Sequence, residues 1–291
     1  MSRLRIVSYN IHKGRSGVLS RARLNELRLG LHNLSPDLVF LQEVQGRNER
    51  MGILDAQHES LAAALRCEVV YGCNAVRRYT DHGNALLSRF PIIDYENQDI
   101  SDHALEQRGL LHARVRIGDH IVHCFVVHLG LFAVSRVRQA QALVERIEST
   151  VPEHAPILIA GDFNDWNHSL SSLLIERLSV HEVFASAPKT NGAGLPPMNE
   201  TVRTFTQVLR DMRFGTASEI AAPGDNVIRL RHGTQALTAR PPRTFPAAMP
   251  WLRLDRIYQR GFAVRSARVL RGRPWAGLSD HVPIVTDLEL P

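Results

Sequence analysis

Pro156-Ile157-Leu158-Ile159-Ala160-Gly161-Asp162-Phe163-Asn164 is the stretch from which the rest of the chain can be read. The apolar run from Pro156 to Ala160 has the length and branched composition of a buried strand, and it delivers an Asp and an Asn, one residue apart, to the strand's carboxyl end. Three other apolar runs finish in the same way: Leu4 to Tyr9 leads to Asn10, Asp37 to Leu41 leads to Gln42-Glu43, and Ile121 to Val127 leads to His128. A further polar cluster, Ser279-Asp280-His281, stands near the C-terminus. Carboxylates and amides at the ends of strands scattered over the chain point to one convergent, oxygen-rich site. Such a donor set suits Mg²⁺ or Mn²⁺ better than zinc.

Convergence also bears on domain organisation. A length of 291 residues allows one large domain or two ordinary ones. The candidate site residues run from Asn10 to His281 with no Gly/Ser-rich or highly charged linker between them, so we expect a single domain over 1–291. The first third reads strand, helix, strand, with Leu24, Leu27, Leu31 and Leu34 at helical spacing before Pro36. A second amphipathic helix fits Arg136 to Ser149, with Ser135 as its N-cap and a stop before Pro152. Shorter strands are expected at Glu68 to Tyr71, Asn84 to Ser88, Leu110 to Ile117 (half-exposed by its alternation) and Ile121 to His128. Strands outnumber helices, and helices fall singly between strand groups. This favours an α/β fold with a two-sheet core flanked by helices over a simple doubly wound sheet. The segment at about 189–240 departs from the pattern. It is rich in Gly, Pro, Asn and Thr, and apart from a short helical patch near Val202 to Met212 it reads as a long surface excursion.

Composition removes several function classes. Hydrophobic content of 44% and charged content of 22% belong to an ordinary globular chain and exclude global disorder. The longest nearly uncharged apolar stretch, Ile121 to Val134, is shorter than the roughly 20 residues of a membrane-spanning helix and contains His123 and His128. The N-terminus starts a strand-like run by its fourth residue rather than a secretory pattern, so a cytoplasmic location is the expectation. Cys67, Cys73 and Cys124 show no metal-ligand spacing and read as reduced, mostly buried thiols. A net charge of +6 and a pI near 9.7 favour an anionic partner, although a solvated basic surface would give the same balance. The Arg run at 260, 265, 268, 271 and 273, leading to Trp275, is either a phosphate-binding rim with an aromatic stacking face or an exposed strand.

Eight blocks, in order, resemble the endonuclease/exonuclease/phosphatase superfamily: YNIH at 9–12, QEV at 42–44, GNALLSRFP at 83–91, RG at 108–109, VVHL at 126–129, GDFN at 161–164, LDRIY at 254–258 and SDHVPI at 279–284. Any one of them occurs by chance, and independent turns or surface ion pairs give no reason for all eight in sequence. Within the superfamily, YNIHKG, GNALLSRFP, RTFP and LRLDRIY look most like bacterial members sometimes encoded beside cardiolipin synthases. The resemblance implies a four-layer α/β/β/α sandwich of two mixed sheets flanked by helices. It also implies a divalent-metal-dependent hydrolase of phosphate esters, working by direct attack of water.

The resemblance assigns roles residue by residue. Glu43, with Asn10 and Asp280, would hold Mg²⁺ (or Mn²⁺). Asp162 would orient or deprotonate the attacking water, or share a second metal, and Asn164 would donate to a phosphoryl oxygen. His281 would contact the scissile phosphate with Asp255 fixing its ring, and His128 would protonate the leaving oxygen or stabilise the transition state. Asn84 and Arg108 are candidate substrate contacts. The expected substrate is a phospholipid or phosphorylated small molecule, with peripheral membrane contact through Leu195 to Met198, Phe245, Pro250, Trp251 and Leu252. A DNA or RNA nuclease is the first alternative, and a non-catalytic binding module on the same scaffold is the second. His12, Lys13, His82 and His112 lie near motifs without an assigned task.

Overall fold

The computed structural model describes residues 2–15, 23–49, 56–103, 106–188 and 241–290. The excursion at about 189–240, with the expected helical patch and Leu195 to Met198, lies outside the described residues. Twelve strands are described: β1 (Ser2–Asn10), β2 (Leu38–Asn48), β3 (Glu68–Val76), β4 (Thr80–Ser88), β5 (Ile92–Asp99), β6 (Gly109–Ile117), β7 (His120–His128), β8 (Ile157–Asp162), β9 (His181–Glu182), β10 (Asp255–Arg260), β11 (Ala263–Val269) and β12 (Ile284–Leu290). They form two six-stranded mixed sheets, ordered β11-β12-β1-β2-β4-β3 and β5-β6-β7-β8-β10-β9. The helices are α1 (Leu24–Leu34), α2 (Gln57–Leu65), α3 (Ala133–Thr150), α4 (Ser171–Leu178) and α5 (Val183–Ser186).

Three apolar clusters stack these elements into four layers. Between the sheets, Leu4, Ile6, Leu38, Phe40 and Leu86 of the first meet Leu111, Val115, Val126, Leu158 and Ile257 of the second. Outside the first sheet, Leu27 and Leu31 of α1 and Leu61 and Leu65 of α2 cover Val7, Val39, Leu41 and Leu87. Outside the second, Ala140, Leu143, Val144 and Ile147 of α3, with Leu174 and Leu178 of α4, cover Phe125, Val127, Ile157 and Ile159. The fold is therefore the expected α/β/β/α sandwich.

Each sheet has a parallel pair near its centre, β1 with β2 and β7 with β8. Asn10 stands opposite Gln42, and His128 opposite Asp162. Parallel pairing sets the two members of each pair level, and the bond from Asn10 to Asp162 brings the two pairs together; β2 itself continues past Glu43 to Asn48. β10 runs antiparallel to β8 with Asp255 opposite Asp162, so it contributes its amino end beside Asp162. β12 likewise runs antiparallel to β1, pairing Ile284 with Ser8, and the segment entering it carries Ser279 to His281. Gly161 is needed here: a Cβ would run into the carbonyl oxygen of its parallel partner Val127.

Several sequence expectations change. The helix expected at Arg136 begins at Ala133 with Phe132 in the cap position, and Ser135 lies inside it, donating its hydroxyl to Asp102 Oδ2 at 2.7 Å rather than capping. β6 is largely buried rather than half-exposed, because His112 stacks on Phe125 at 4.2 Å and its Nε2 meets His123 Nδ1 at 3.0 Å. Of the thiols, Cys124 is buried but Cys73 is exposed. Of the two readings of the Arg run, the exposed strand is seen at β11, which carries exposed Arg265 and Arg268, and the aromatic stacking face is not, because Trp275 is buried. Arg260 donates to the Ala155, Leu178 and Pro152 carbonyls, Arg265 pairs with Glu289 at 2.5 Å, and Trp275 is buried edge-on against Tyr9. Among the described residues, no helix is long and apolar enough to cross a membrane.

Glu182 gives the second sheet a pH dependence. Its carboxylate accepts from Phe184 N at 2.8 Å and Ala185 N at 3.1 Å at the start of α5, while its other oxygen is buried without a partner. Burial, only partly offset by Arg256 and these two N–H groups, pushes its pKa up to about 7. A carboxyl harder to ionise folded than unfolded lowers stability as pH rises from its ordinary 4.5 to about 7, and the loss is complete above that. Glu182→Gln keeps the acceptor and removes the charge. Its Tm should match the parent protein's near pH 5 and exceed it near pH 8, as read by thermal melts at both pH values.

Candidate active site

β2 carries a bulge where it meets β4: Gln42 and Glu43 together oppose Asn84, and Glu43 adopts the left-handed backbone conformation with φ 52°. An extra residue in a ladder re-aims the side chains around it. Gln42 turns fully inward, and Glu43, in mid-strand, stands part-exposed beside Asn10. Asn164 also sits at positive φ, 49°, stabilised by its own N–H donating to Asp162 Oδ1 at 3.0 Å. Non-glycine residues in this region cost of order 1–3 kcal/mol each and persist where surrounding structure fixes them. Here they turn polar side chains into one place.

Asp162 is the hub. Its Oδ2 accepts from Asn10 Nδ2 at 3.1 Å and lies 3.5 Å from His281 Nε2 and 3.6 Å from His128 Nε2. Asn10 Nδ2 also reaches Glu43 Oε1 at 3.3 Å, joining the two sheets through one amide. His281 Nδ1 meets Asp255 Oδ2 at 2.8 Å, and the Phe245 ring lies 5.0 Å from the imidazole. Asp255 thus pairs with His281 and not with its neighbour Arg256, whose fully buried guanidinium donates to the Asp165 and Arg253 carbonyls. Those bonds anchor the turn that follows Asn164. Asn164 Nδ2 donates to Leu129 O at 2.9 Å with one of its two N–H groups, leaving the other for a ligand.

The two imidazoles facing Asp162 differ in charge. Burial, reinforced by Arg108, pulls the His128 pKa down to about 4, so this ring is neutral at pH 7. Burial also opposes charge on His281, but Asp255 and Asp162 outweigh it and push its pKa up to about 10. Burial raises the Glu43 pKa, yet His128 and Lys13 outweigh it and leave the carboxyl well below the usual range. At neutral pH the site therefore holds ionised Glu43, protonated His281 and neutral His128 around Asp162.

The remaining expected residues are close by. Asp280 lies 3.9 Å from His12 Nδ1, and Ser279 Oγ bonds both Asp280 Oδ1 and the Asn10 carbonyl. Arg108 pairs with Glu106 at 3.1 Å. Asn84 is buried and donates to the Gly109 and Val126 carbonyls, with its Oδ1 unpartnered. That arrangement makes Asn84 a tie between the sheets as well as a candidate contact. Sequence reading gave no task to Lys13, yet its Nζ is 2.8 Å from Glu43 Oε2. Its scarcity was a usable signal, since only two of the 35 basic residues are lysine. Gln42, buried with both amide atoms unpartnered, was also missed; its place beside Glu43 in QEV was the available cue.

Two features bear on whether a divalent cation fits. Asp162, Asp255 and His281 form a buried group whose potential ligand atoms all lie within 4.8 Å of one another, an arrangement consistent with a metal site when the ion displaces a proton of the His281 imidazole. Beside it, Glu43 Oε2 is taken by the Lys13 ammonium, which an ion would have to share or displace, while Asn10 Oδ1, accepting among the described residues from His12 N, retains a lone pair. Oxygen donors dominate both places, which fits a hard ion.

The profile of the Endonuclease/Exonuclease/phosphatase family matches residues 7–281. The uncharacterised Escherichia coli K12 protein YbhP is 33% identical over 294 residues, covering 98% of this chain and 96% of that protein. Among solved structures, an endonuclease/exonuclease/phosphatase from Beutenbergia cavernae superposes with a TM-score of 0.69 at 18% identity, covering 100% of this chain and 72% of that one. A mannosyl-6-phosphatase of Bacteroides thetaiotaomicron gives 0.63 at 15% identity, covering 99% and 100%. At such identities the structures speak for the fold.

Proposed function

The chain belongs to the Endonuclease/Exonuclease/phosphatase family, and from that premise we propose that it is a divalent-metal-dependent phosphodiesterase acting on a phospholipid or phosphorylated small molecule. The observation that carries this reading is Asp162, a buried carboxylate held between the His128 and His281 imidazoles and tied by Asn10 to Glu43. Glu43, Asn10 and Asp280 would hold the ion. When bound, Mg²⁺ or Mn²⁺ supplies neutralisation of charge on the phosphoryl oxygens and a more acidic water.

The chain's own residues do the rest. Asp162 orients the attacking water and draws its proton toward a carboxylate that Asn10 and the Asn164 N–H hold in place. His281, kept charged by Asp255, presents Nε2–H to the phosphoryl group, and the second N–H of Asn164 adds a neutral donor. Such preorganised donors act where negative charge grows. His128 steadies the leaving oxygen, and the nearby Arg108, paired with Glu106, helps keep the ring neutral.

A nuclease is the second reading, favoured by the net charge of +6. Bis(p-nitrophenyl) phosphate hydrolysis and nicking of supercoiled plasmid, each with Mg²⁺ or Mn²⁺ at low salt, separate the two when the parent protein is compared with His281→Ala. The expected result is metal-dependent hydrolysis of the small diester, lost in the variant, without nicking. Nicking by the parent protein alone would move the assignment to nucleic acid. No hydrolysis of either substrate by a folded protein would favour the binding-module alternative.

A further inference from the structure

Four large apolar side chains stand exposed on the two segments that leave the site, one of which runs into the first turn of α3. Leu131, Phe132 and Val134, three to six residues after His128, are 58%, 63% and 62% exposed, and Trp166, two residues after Asn164, is 41% exposed. Single exposed apolar residues are ordinary, but a cluster next to a site calls for a partner. These residues form one framework. The Arg136 guanidinium lies 4.7 Å from the Trp166 ring centre and donates to Leu131 O at 2.5 Å, and Phe132 meets the His103 ring edge-on at 5.7 Å. The same framework reaches the site: Glu106 Oε1 accepts from Leu131 N at 2.9 Å and from Arg108 Nη2 at 3.1 Å, and Leu129 O accepts from Asn164. A third loop, whose Phe245 contacts His281, exposes Met249 and Trp251.

The local charges identify the partner. Arg138 is paired with Asp102 at 2.8 Å, Arg108 is paired with Glu106, and Arg136 is buried against carbonyls and the Trp166 ring. A nucleic-acid surface needs cations that are free for phosphates. Among the described residues, these three arginines are already matched, while the apolar and aromatic side chains project. A bilayer surface accepts that combination, with Trp and Phe entering the boundary between headgroups and acyl chains.

We propose that Leu131, Phe132, Val134 and Trp166 form a membrane-contact edge that enters a phospholipid bilayer and brings a lipid phosphodiester to Asp162, an inference that rests on the phosphodiesterase reading above. Attachment through this edge depends on apolar insertion, with the net positive charge adding a longer-range preference for anionic lipid.

The test is co-sedimentation of the whole chain with sucrose-loaded vesicles of phosphatidylcholine alone and of phosphatidylcholine with phosphatidylglycerol, at low salt and at about 0.5 M NaCl, where surface charge is screened. The parent protein should bind both vesicles and stay bound in high salt. The double variant Leu131→Asp/Phe132→Asp should lose at least about tenfold in partitioning, and Trp166→Ser should lose less, in line with the apolar area removed. Both variants should retain their melting temperature and the hydrolysis of bis(p-nitrophenyl) phosphate in solution. The proposal is overturned if the parent protein binds neither vesicle, if the double variant binds as well as the parent, or if high salt abolishes binding. Concentration-dependent dimerisation that the double variant loses, with no vesicle binding, would assign the patch to a second copy of the chain instead. Vesicle binding by a protein that hydrolyses no diester would leave the surface standing and remove only the enzymatic reading.

Discussion

Asp162→Asn should reduce kcat/KM for a soluble phosphodiester by about 10³-fold, within the range associated with removing a positioned acid–base group. The variant keeps the side chain's shape in a site that is almost wholly buried, so its melting temperature should change little beside that loss. The amide offers His281, His128 and Asn10 a neutral partner, and at most one of its two terminal atoms remains an acceptor. An activity within tenfold of the parent's, across a full Mg²⁺ and Mn²⁺ titration, would remove Asp162 from its place at the centre of the chemistry. Asp255→Asn is the informative companion. It leaves the Asp162 contacts in place and withdraws the anion behind His281, so the lower kcat should come with little change in KM.

Glu43→Gln should act on metal dependence first. Glu43 is the carboxylate at the bulge of β2, with one oxygen near Asn10 and the other against Lys13. Replacing it should raise the Mg²⁺ concentration needed for half-maximal activity by about 100-fold, the upper end of effects seen when groups supporting a metal are altered. Isothermal titration of Mg²⁺ without substrate gives an independent measure: affinity should fall in parallel. Unchanged metal affinity would transfer the ion to the Asp162, Asp255 and His281 group.

How much of this was legible in the sequence depended on whether a residue's meaning is local. A strand buried on both faces announces itself as an apolar run, and the polar residue that follows the run is then a site candidate without further information; Asn10, Glu43, His128 and Asp162 were named as candidates in this way. Asp255 and the Ser279 to His281 cluster became persuasive only with the ordered blocks around them, since a polar residue ahead of a strand reads as an ordinary turn. β5 was missed because its sequence, Ile92 to Asp99, is polar along much of its length, and pairing with β6 supports it. The start of α3 was misjudged because Ser135 is a better cap by composition than Phe132, and a tertiary bond to Asp102 decided its position. For Trp275 a stacking surface stayed open as one of two readings, because nothing local shows that Tyr9, more than 260 positions earlier, covers it. The pairing of Lys13 with Glu43 lay equally far beyond local reading, since it follows from the bulge and from a turn that places Lys13 at φ 57°.

The bond between Asn10 and Asp162 has a kinetic consequence. It spans 152 positions, and the bond from Ser279 to the Asn10 carbonyl spans 269. Contacts this distant in sequence form only after most of the loop-closure entropy has been overcome, so they belong to the late part of refolding. Neither sheet holds the hub and its partners by itself. Catalytic competence should therefore return as a single late phase after denaturant dilution, behind the recovery of secondary structure, and the appearance of turnover marks the moment at which the two sheets come together.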